Sequence, residues 1–211
     1  PVLIDAVECA DVPGNRNMFL LPGHIGLAEY EVTLGIAQNL QGSLVTLRNL
    51  PGSIRFMIDK TAKRYEIDIV IIDMSPSLGA INQNLLTTSD FFLVPLHPDY
   101  FSEMGVNSLS EILPKWKQWA VQANQMGILQ EADYPFPNSD PKYLGAIIQK
   151  YRPRGGAPSK AFQGWIDQLE TAIEKNLIPA LSAAQMMLPL QTYKDHGFLP
   201  HQPILQMSDF N

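Results

Sequence analysis

The 211 residues hold a single cysteine, Cys9, so the chain cannot close a disulfide on itself. That usage suits a reducing compartment and excludes a disulfide-stapled scaffold. No apolar run approaches the roughly 18 to 20 residues of a membrane-spanning helix, and no secretory leader pattern is visible. The stretch 197–205 reads Gly-Phe-Leu-Pro-His-Gln-Pro-Ile-Leu, and its two prolines would break an amphipathic membrane-binding helix. The four histidines, His24, His97, His196 and His201, show no metal-ligand spacing with Cys9 or with each other. A G-x-S-x-G elbow is absent, and Cys9 has no evident base nearby. The G-x-x-x-x-G-K-[ST] phosphate cradle is absent as well. Gly155-Gly156 comes late and continues Ala-Pro-Ser-Lys, the wrong context for one. A formal net charge of −6 gives no global attraction to nucleic acid.

What is present suits one α/β domain over residues 1–211, with enough apolar residues, 45%, for a sizeable core. The patterning predicts a strand at 18–21, a helix at 27–39 and a helix at 53–65, the last with Ile54, Met57, Ile58 and Ala62 at helical spacing. Residues 101–124 form a long helical stretch, with Leu109, Ile112, Leu113, Trp116 and Ala120 on one face and Pro114 to kink it. Residues 130–141, with three prolines and three acidic residues, read as an irregular surface insertion. A strand at 144–149 precedes the Gly-Gly turn. A helix at 159–176 follows, with Phe162, Trp165, Ile166, Leu169 and Ile173 as an apolar stripe.

The stretch 65–109 carries the most information. Its apolar run 67–72 stops at Asp73, and a second run, 91–96, follows after 17 residues, long enough for a crossover helix. Such runs read as strands buried on both faces, joined as one βαβ unit of a mostly parallel sheet with helices on both faces. Ligands of such sheets sit beyond the carboxyl ends of the strands, where this reading puts Asp73. A carboxylate there can hold Mg²⁺ through water beside substrate phosphates. Taken alone, a strand-ending Asp is more often turn chemistry.

The wider wording resembles the Walker B region of the ParA/Soj/MinD family of partition ATPases. The matching residues are Asp73, Pro76, Ser77, Leu78 and Gly79, then Pro95, Pro98, Tyr100, Phe101, Glu103 and Gly105. Ser75 replaces the family's first proline, and Met104 separates its Glu-Gly pair. Upstream, 18–23 and Leu27-Ala28-Glu29-Tyr30-Glu31 are similar to the family's short strand, L-L-P turn and following helix. Downstream, 143–151 is similar to a later core strand. The likeness covers roughly residues 1–175, and the last 35 match loosely.

The resemblance implies a P-loop NTPase-like three-layer fold. Asp73 would orient a Mg²⁺-bound water, and Pro76, Ser77 and Gly79 would form a switch turn beside the γ-phosphate of ATP. Gln149 and Lys150 fall where the family often contacts the base. The family's phosphate loop would lie upstream of Pro1, so the expectation is that these residues are the C-terminal two-thirds of such a domain. The implied protein is a cytoplasmic, nucleoid-associated homodimer formed with ATP, served by a ParB-like or cargo-adaptor protein, with no membrane partner.

Five basic residues, Lys142, Lys150, Arg152, Arg154 and Lys160, lie within nineteen positions free of acidic residues. Together with the family's habit of binding DNA without sequence preference, they make a candidate DNA surface. A solvated turn, or a lining of the nucleotide pocket, explains them equally well. Two classes of function stay open: a Mg²⁺-ATP-driven dimerising switch, and a ParA-like scaffold without a phosphate loop, acting as a protein or DNA interaction module.

Overall fold

In the computed structural model, residues 3–39, 45–151, 153–154, 157–158 and 160–208 are described. They form two compact units, Pro1–Thr88 with Ala120–Ser139, and Ser89–Trp119 with Asp140–Asn211.

The first unit opens with an antiparallel hairpin, β1 (Ala10–Val12) and β2 (Asn15–Leu20), where a strand leading straight to a helix is expected from sequence. Helix α1 (Leu27–Asn39) has the expected bounds. Helix α2 (Leu50–Arg64) begins earlier than expected, because Pro51 falls in the first turn, where its missing N–H costs nothing. Its end is a Schellman closure: the Ile67 N–H donates to the Ala62 carbonyl at 2.9 Å while Glu66 takes a positive φ of 54°.

The expected strand at 67–72 is not one. Residues 67–79 form neither helix nor strand, and Ile69, Val70 and Ile71 are 77%, 47% and 90% exposed. A sheet-interior strand needs a backbone neighbour on each side. Among the described residues no strand pairs with this segment, and Ile69, Val70 and Ile71 face solvent while Ile67 and Ile72 are half-buried. The chain returns to regular structure at α3 (Ala80–Thr87).

The second unit contains the parallel sheet of this α/β fold. Strand β3 (Phe91–Leu96) leads into α4 (Tyr100–Gln125), which runs through Pro114. A short α5 (Gly127–Gln130), in the first unit, precedes β4 (Lys142–Tyr151). Two-residue strands β5 (Pro153–Arg154) and β6 (Ala157–Pro158) pair antiparallel. Helix α6 (Lys160–Ala172) continues through a π-helical turn, Ile173–Leu177, into α7 (Ile178–Ala183). After α8 (Leu190–Asp195), β7 (Pro203–Ser208) completes the sheet in the order β3-β4-β7, all parallel. The loosely matching C-terminal residues thus supply one of its three strands.

Strand β3 is not covered on both faces. Phe92, Val94 and Leu96 are buried, while Phe91 and Leu93 are 54% and 42% exposed. Opposite its buried face, Tyr143, Ala146 and Ile148 of β4 are buried too, and the Phe92 and Tyr143 rings lie 5.5 Å apart. Of the stripe read on α6, Ile166, Leu169 and Ile173 are fully buried. Each such side chain contributes about 1.5–3 kcal/mol by leaving water.

Candidate functional site

Asp73 lies in the irregular segment ahead of α3 rather than at a strand end. It is exposed, and among the described residues no hydrogen bond or ion pair engages its carboxylate. Two residues on, the chain folds into a turn whose backbone is held from inside. Asn82, 5% exposed, sits in the third position of α3 and reaches back over the turn before the helix. Its Nδ2 donates to the carbonyls of Ser75 and Ser77, each at 2.6 Å. The Ser75 and Ser77 hydroxyls lie 3.0 Å apart, and Ser75, Pro76, Ser77 and Leu78 are all exposed. Ser75 Oγ also donates to Asn82 Oδ1 at 3.5 Å, so both ends of the Asn82 amide engage the turn.

A second support comes from α1. Tyr30 anchors that helix on α2 through its hydroxyl, 3.0 Å from the Leu50 carbonyl and 2.6 Å from Ser53 Oγ. Burial pushes the Tyr30 phenol above its ordinary value, against the opposing effect of the Ser53 hydrogen bond. The next residue, Glu31, aims its carboxylate at the start of α3, where the Ile81 N–H donates to Oε1 at 3.5 Å. At that length the contact is charge against helix dipole more than a tight hydrogen bond. Neither Asn82 nor Glu31 stands out from sequence patterning. The signal was an Asn three residues past an N-cap glycine, and it is weak without the turn in view.

The other candidates belong to the second unit. Gln149 is half-buried near the end of β4, and Lys150 is exposed with a φ of 59°. In the basic segment Lys142 is already engaged: its Nζ lies 2.8 Å from Asp140 Oδ2 and donates to the Gln185 carbonyl at 2.6 Å. Lys117 holds the other oxygen of Asp140 at 2.7 Å. Partial burial raises the Asp140 carboxyl, but the two lysines outweigh it and hold the group below the usual carboxylate range. Lys160 is exposed. Arg152 lies outside the described residues, and Arg154 is described only as part of β5. The Pro98-Asp99-Tyr100 wording has a structural use: Asp99 Oδ1 accepts from the Ser102 N–H at 2.8 Å, capping α4, and Ser102 Oγ accepts from the His97 N–H at 2.9 Å.

The exposed, unengaged Asp73 carboxylate fits one kind of metal site. No group of three or more metal-ligating side chains occurs among the described residues, so the protein supplies no closed cage. A single carboxylate suits Mg²⁺ carried largely by water and nucleotide phosphates. The sequence holds no G-x-x-x-x-G-K-[ST] wording for those phosphates.

A family model described as an AAA domain, AAA_31, matches residues 3–126, more than half of the chain. The chain belongs to this family, in its ParA/Soj branch of partition ATPases. An uncharacterized protein of Methanocaldococcus jannaschii is 28% identical over 157 residues, 74% of this chain and 50% of that protein. The sporulation initiation inhibitor protein Soj of Bacillus subtilis is 27% identical over 107 residues, 51% of this chain and 36% of that one. The chromosome partitioning protein ParA of Myxococcus xanthus is 38% identical over 53 residues, 25% of this chain and 19% of that one. The chain spans half or less of the length of these relatives. No solved structure gives a significant match. The family match covers the Asp73 segment, the turn at 75–79 and both of its supports.

Proposed function

We propose that these residues form part of a Mg²⁺-ATP-dependent dimerising switch that positions or segregates DNA or protein cargo. The observation that carries this is the segment at 73–79 within the family match: an unengaged carboxylate at Asp73, followed by an exposed turn whose backbone is fixed by Asn82. Bound Mg²⁺ would screen the phosphate charge. Asp73 would orient a metal-bound water, and Pro76, Ser77 and Gly79 would report the γ-phosphate by a shift of the turn. Gln149 and Lys150 are proposed as nucleotide contacts. The name of one relative, a chromosome partitioning protein, supports a role in chromosome handling. Homodimerisation with ATP, a ParB-like or cargo-adaptor partner, nucleoid association and DNA contacts through Lys142, Lys150, Arg152, Arg154 and Lys160 belong to the same proposal.

A second reading, a scaffold that binds partners without nucleotide, is favoured by one observation: no G-x-x-x-x-G-K-[ST] wording occurs in the 211 residues. Without backbone amides and a lysine around the β- and γ-phosphates, the charge of ATP stays uncompensated. Calorimetry separates the two. Under the switch reading the full-length protein binds Mg²⁺-ATP saturably and hydrolyses it, while residues 1–211 alone show no saturable binding at millimolar nucleotide. Full-length protein that neither binds nor hydrolyses ATP would leave the scaffold reading standing.

A further inference from the structure

Gly79 ends the turn in an ordinary extended conformation, φ −80° and ψ 178°, which any residue adopts. The backbone gives no reason for glycine here. The reason lies across the helix pair: a Cβ at position 79 would overlap Oε1 of Glu31, and the next nearest atom beyond that carboxylate is Ser77 Oγ, at an ordinary 3.6 Å. Glu31 is one of three α1 residues against the first turn of α3. Gly35 faces Ala80, whose Cβ would be 3.5 Å from a Cβ on Gly35, and Gln38 Nε2 donates to the Ala80 carbonyl at 3.2 Å. Positions 31, 35 and 38 follow helical spacing and share one face of α1. That face meets α3 where its N–H groups are unsatisfied, and α3 has no side-chain cap from its own N-cap residue.

We propose that Glu31 is a positioning residue for the 75–79 turn, acting as an external cap on α3, and that Gly79 is glycine in order to admit the Glu31 carboxylate. The inference rests on the nucleotide reading of the turn for its functional consequence, but not for its structural one. A carboxylate at this helix start holds the turn in one register from the α1 side, while Asn82 holds it from the α3 side. Removing Glu31 therefore loosens the turn without disturbing the helix that carries it, since alanine is a better helix former than glutamate.

The test is a double-mutant cycle in the full-length protein, read first by amide hydrogen exchange without nucleotide. Glu31→Ala is expected to raise exchange at Ile81 and its neighbours by about five-fold, the usual worth of a cap. Gly79→Ala should do the same, because the added methyl displaces a flexible carboxylate end rather than backbone. The Glu31→Ala/Gly79→Ala double variant should match either single change, instead of multiplying to about twenty-five-fold. Glu31→Gln, which keeps the reach but removes the charge, should lose most of the protection, because the contact is charge against helix dipole more than a tight hydrogen bond. In steady-state hydrolysis, kcat should fall about five-fold in the two single alanine variants with KM for Mg²⁺-ATP little changed, since the turn acts on γ-phosphate chemistry rather than on overall binding. Multiplying effects at Ile81, or unchanged exchange in Glu31→Ala, would overturn the proposal. If the exchange cycle is non-additive yet the wild-type protein hydrolyses no ATP, the Glu31 cap stands and the nucleotide reading of the turn fails.

Discussion

Asp73 gains interest from what it does not touch. An exposed carboxylate without a partner contributes little to folding, so its cost or benefit belongs to whatever it binds. Asp73→Ala in the full-length protein is expected to leave the circular dichroism melt unchanged and to lower Mg²⁺-dependent ATP hydrolysis by about 100-fold or more. An unchanged rate, with hydrolysis otherwise demonstrable, would remove Asp73 from the site. A contrasting pair sits in the sheet. Tyr143 is fully buried, its hydroxyl has no hydrogen-bond partner among the described residues, and burial drives its phenol well above the ordinary range. Tyr193, also buried, donates to the Tyr143 carbonyl at 2.5 Å and accepts from the Leu188 N–H at 3.1 Å. Removing an unpaired buried hydroxyl relieves a desolvation cost, while removing a paired one strands two groups. Tyr143→Phe should therefore stabilise by about 1 kcal/mol and Tyr193→Phe should destabilise by about 1–3 kcal/mol in urea titrations. Equal effects of the two changes would contradict this assignment.

Elements of this chain were legible in the sequence where local pattern decides them. The bounds of α1, the long α4, the strand around 144–149 and the buried stripe of α6 all follow from periodicity. Legibility failed where a distant segment decides. The run 67–72 has the composition of a buried strand, yet composition cannot supply the neighbouring backbone a strand requires. Near Pro51-Gly52 the expected helix starts too late, because that dipeptide reads as a turn; the structure explains the glycine by a long-range contact instead. A Cβ on Gly52 would overlap the carbonyl oxygens of Tyr134 and Pro135. The segment after α5 lies against the first turn of α2, and Tyr134 and Phe136 are buried although no helix or strand holds them. Of the candidate site, Asp73 and the 76–79 turn are singled out by wording alone, whereas Glu31 and Asn82 required the turn in three dimensions. Because the obstacle at Gly52 is backbone that cannot swing aside, Gly52→Ala is expected to destabilise by about 2–3 kcal/mol. A thermal melt within a degree of wild type would show that the 131–136 segment does not press on α2.

At the scale of the whole molecule, charge distribution is the property that neither fold nor turn explains. The chain is acidic, at −6, yet one-third of its fifteen lysines and arginines fall in 142–160. An acidic protein approaching a polyanion is repelled on average, so any DNA contact has to be local and exposed. Lys150 and Lys160 meet that condition, whereas Lys142 is held by Asp140 and the Gln185 carbonyl. The Asp140 carboxyl is depressed, so its pairing with Lys142 is present above the ordinary carboxylate range and lost only as pH falls through the lowered value. Near neutral pH, Lys142 is therefore less available than Lys150 or Lys160. If this segment binds DNA through phosphates, affinity falls steeply with salt, and each lost contact flattens the log–log slope by about 0.9. Fluorescence anisotropy on the ATP-loaded full-length protein should show that Arg152→Ala/Arg154→Ala weakens binding to all sequences alike. Lys150→Ala and Lys160→Ala should each remove close to one unit of slope, and Lys142→Ala clearly less. Wild-type binding by the arginine double variant at every salt concentration, or a Lys142→Ala effect as large as that of Lys150→Ala, would take the segment out of DNA recognition.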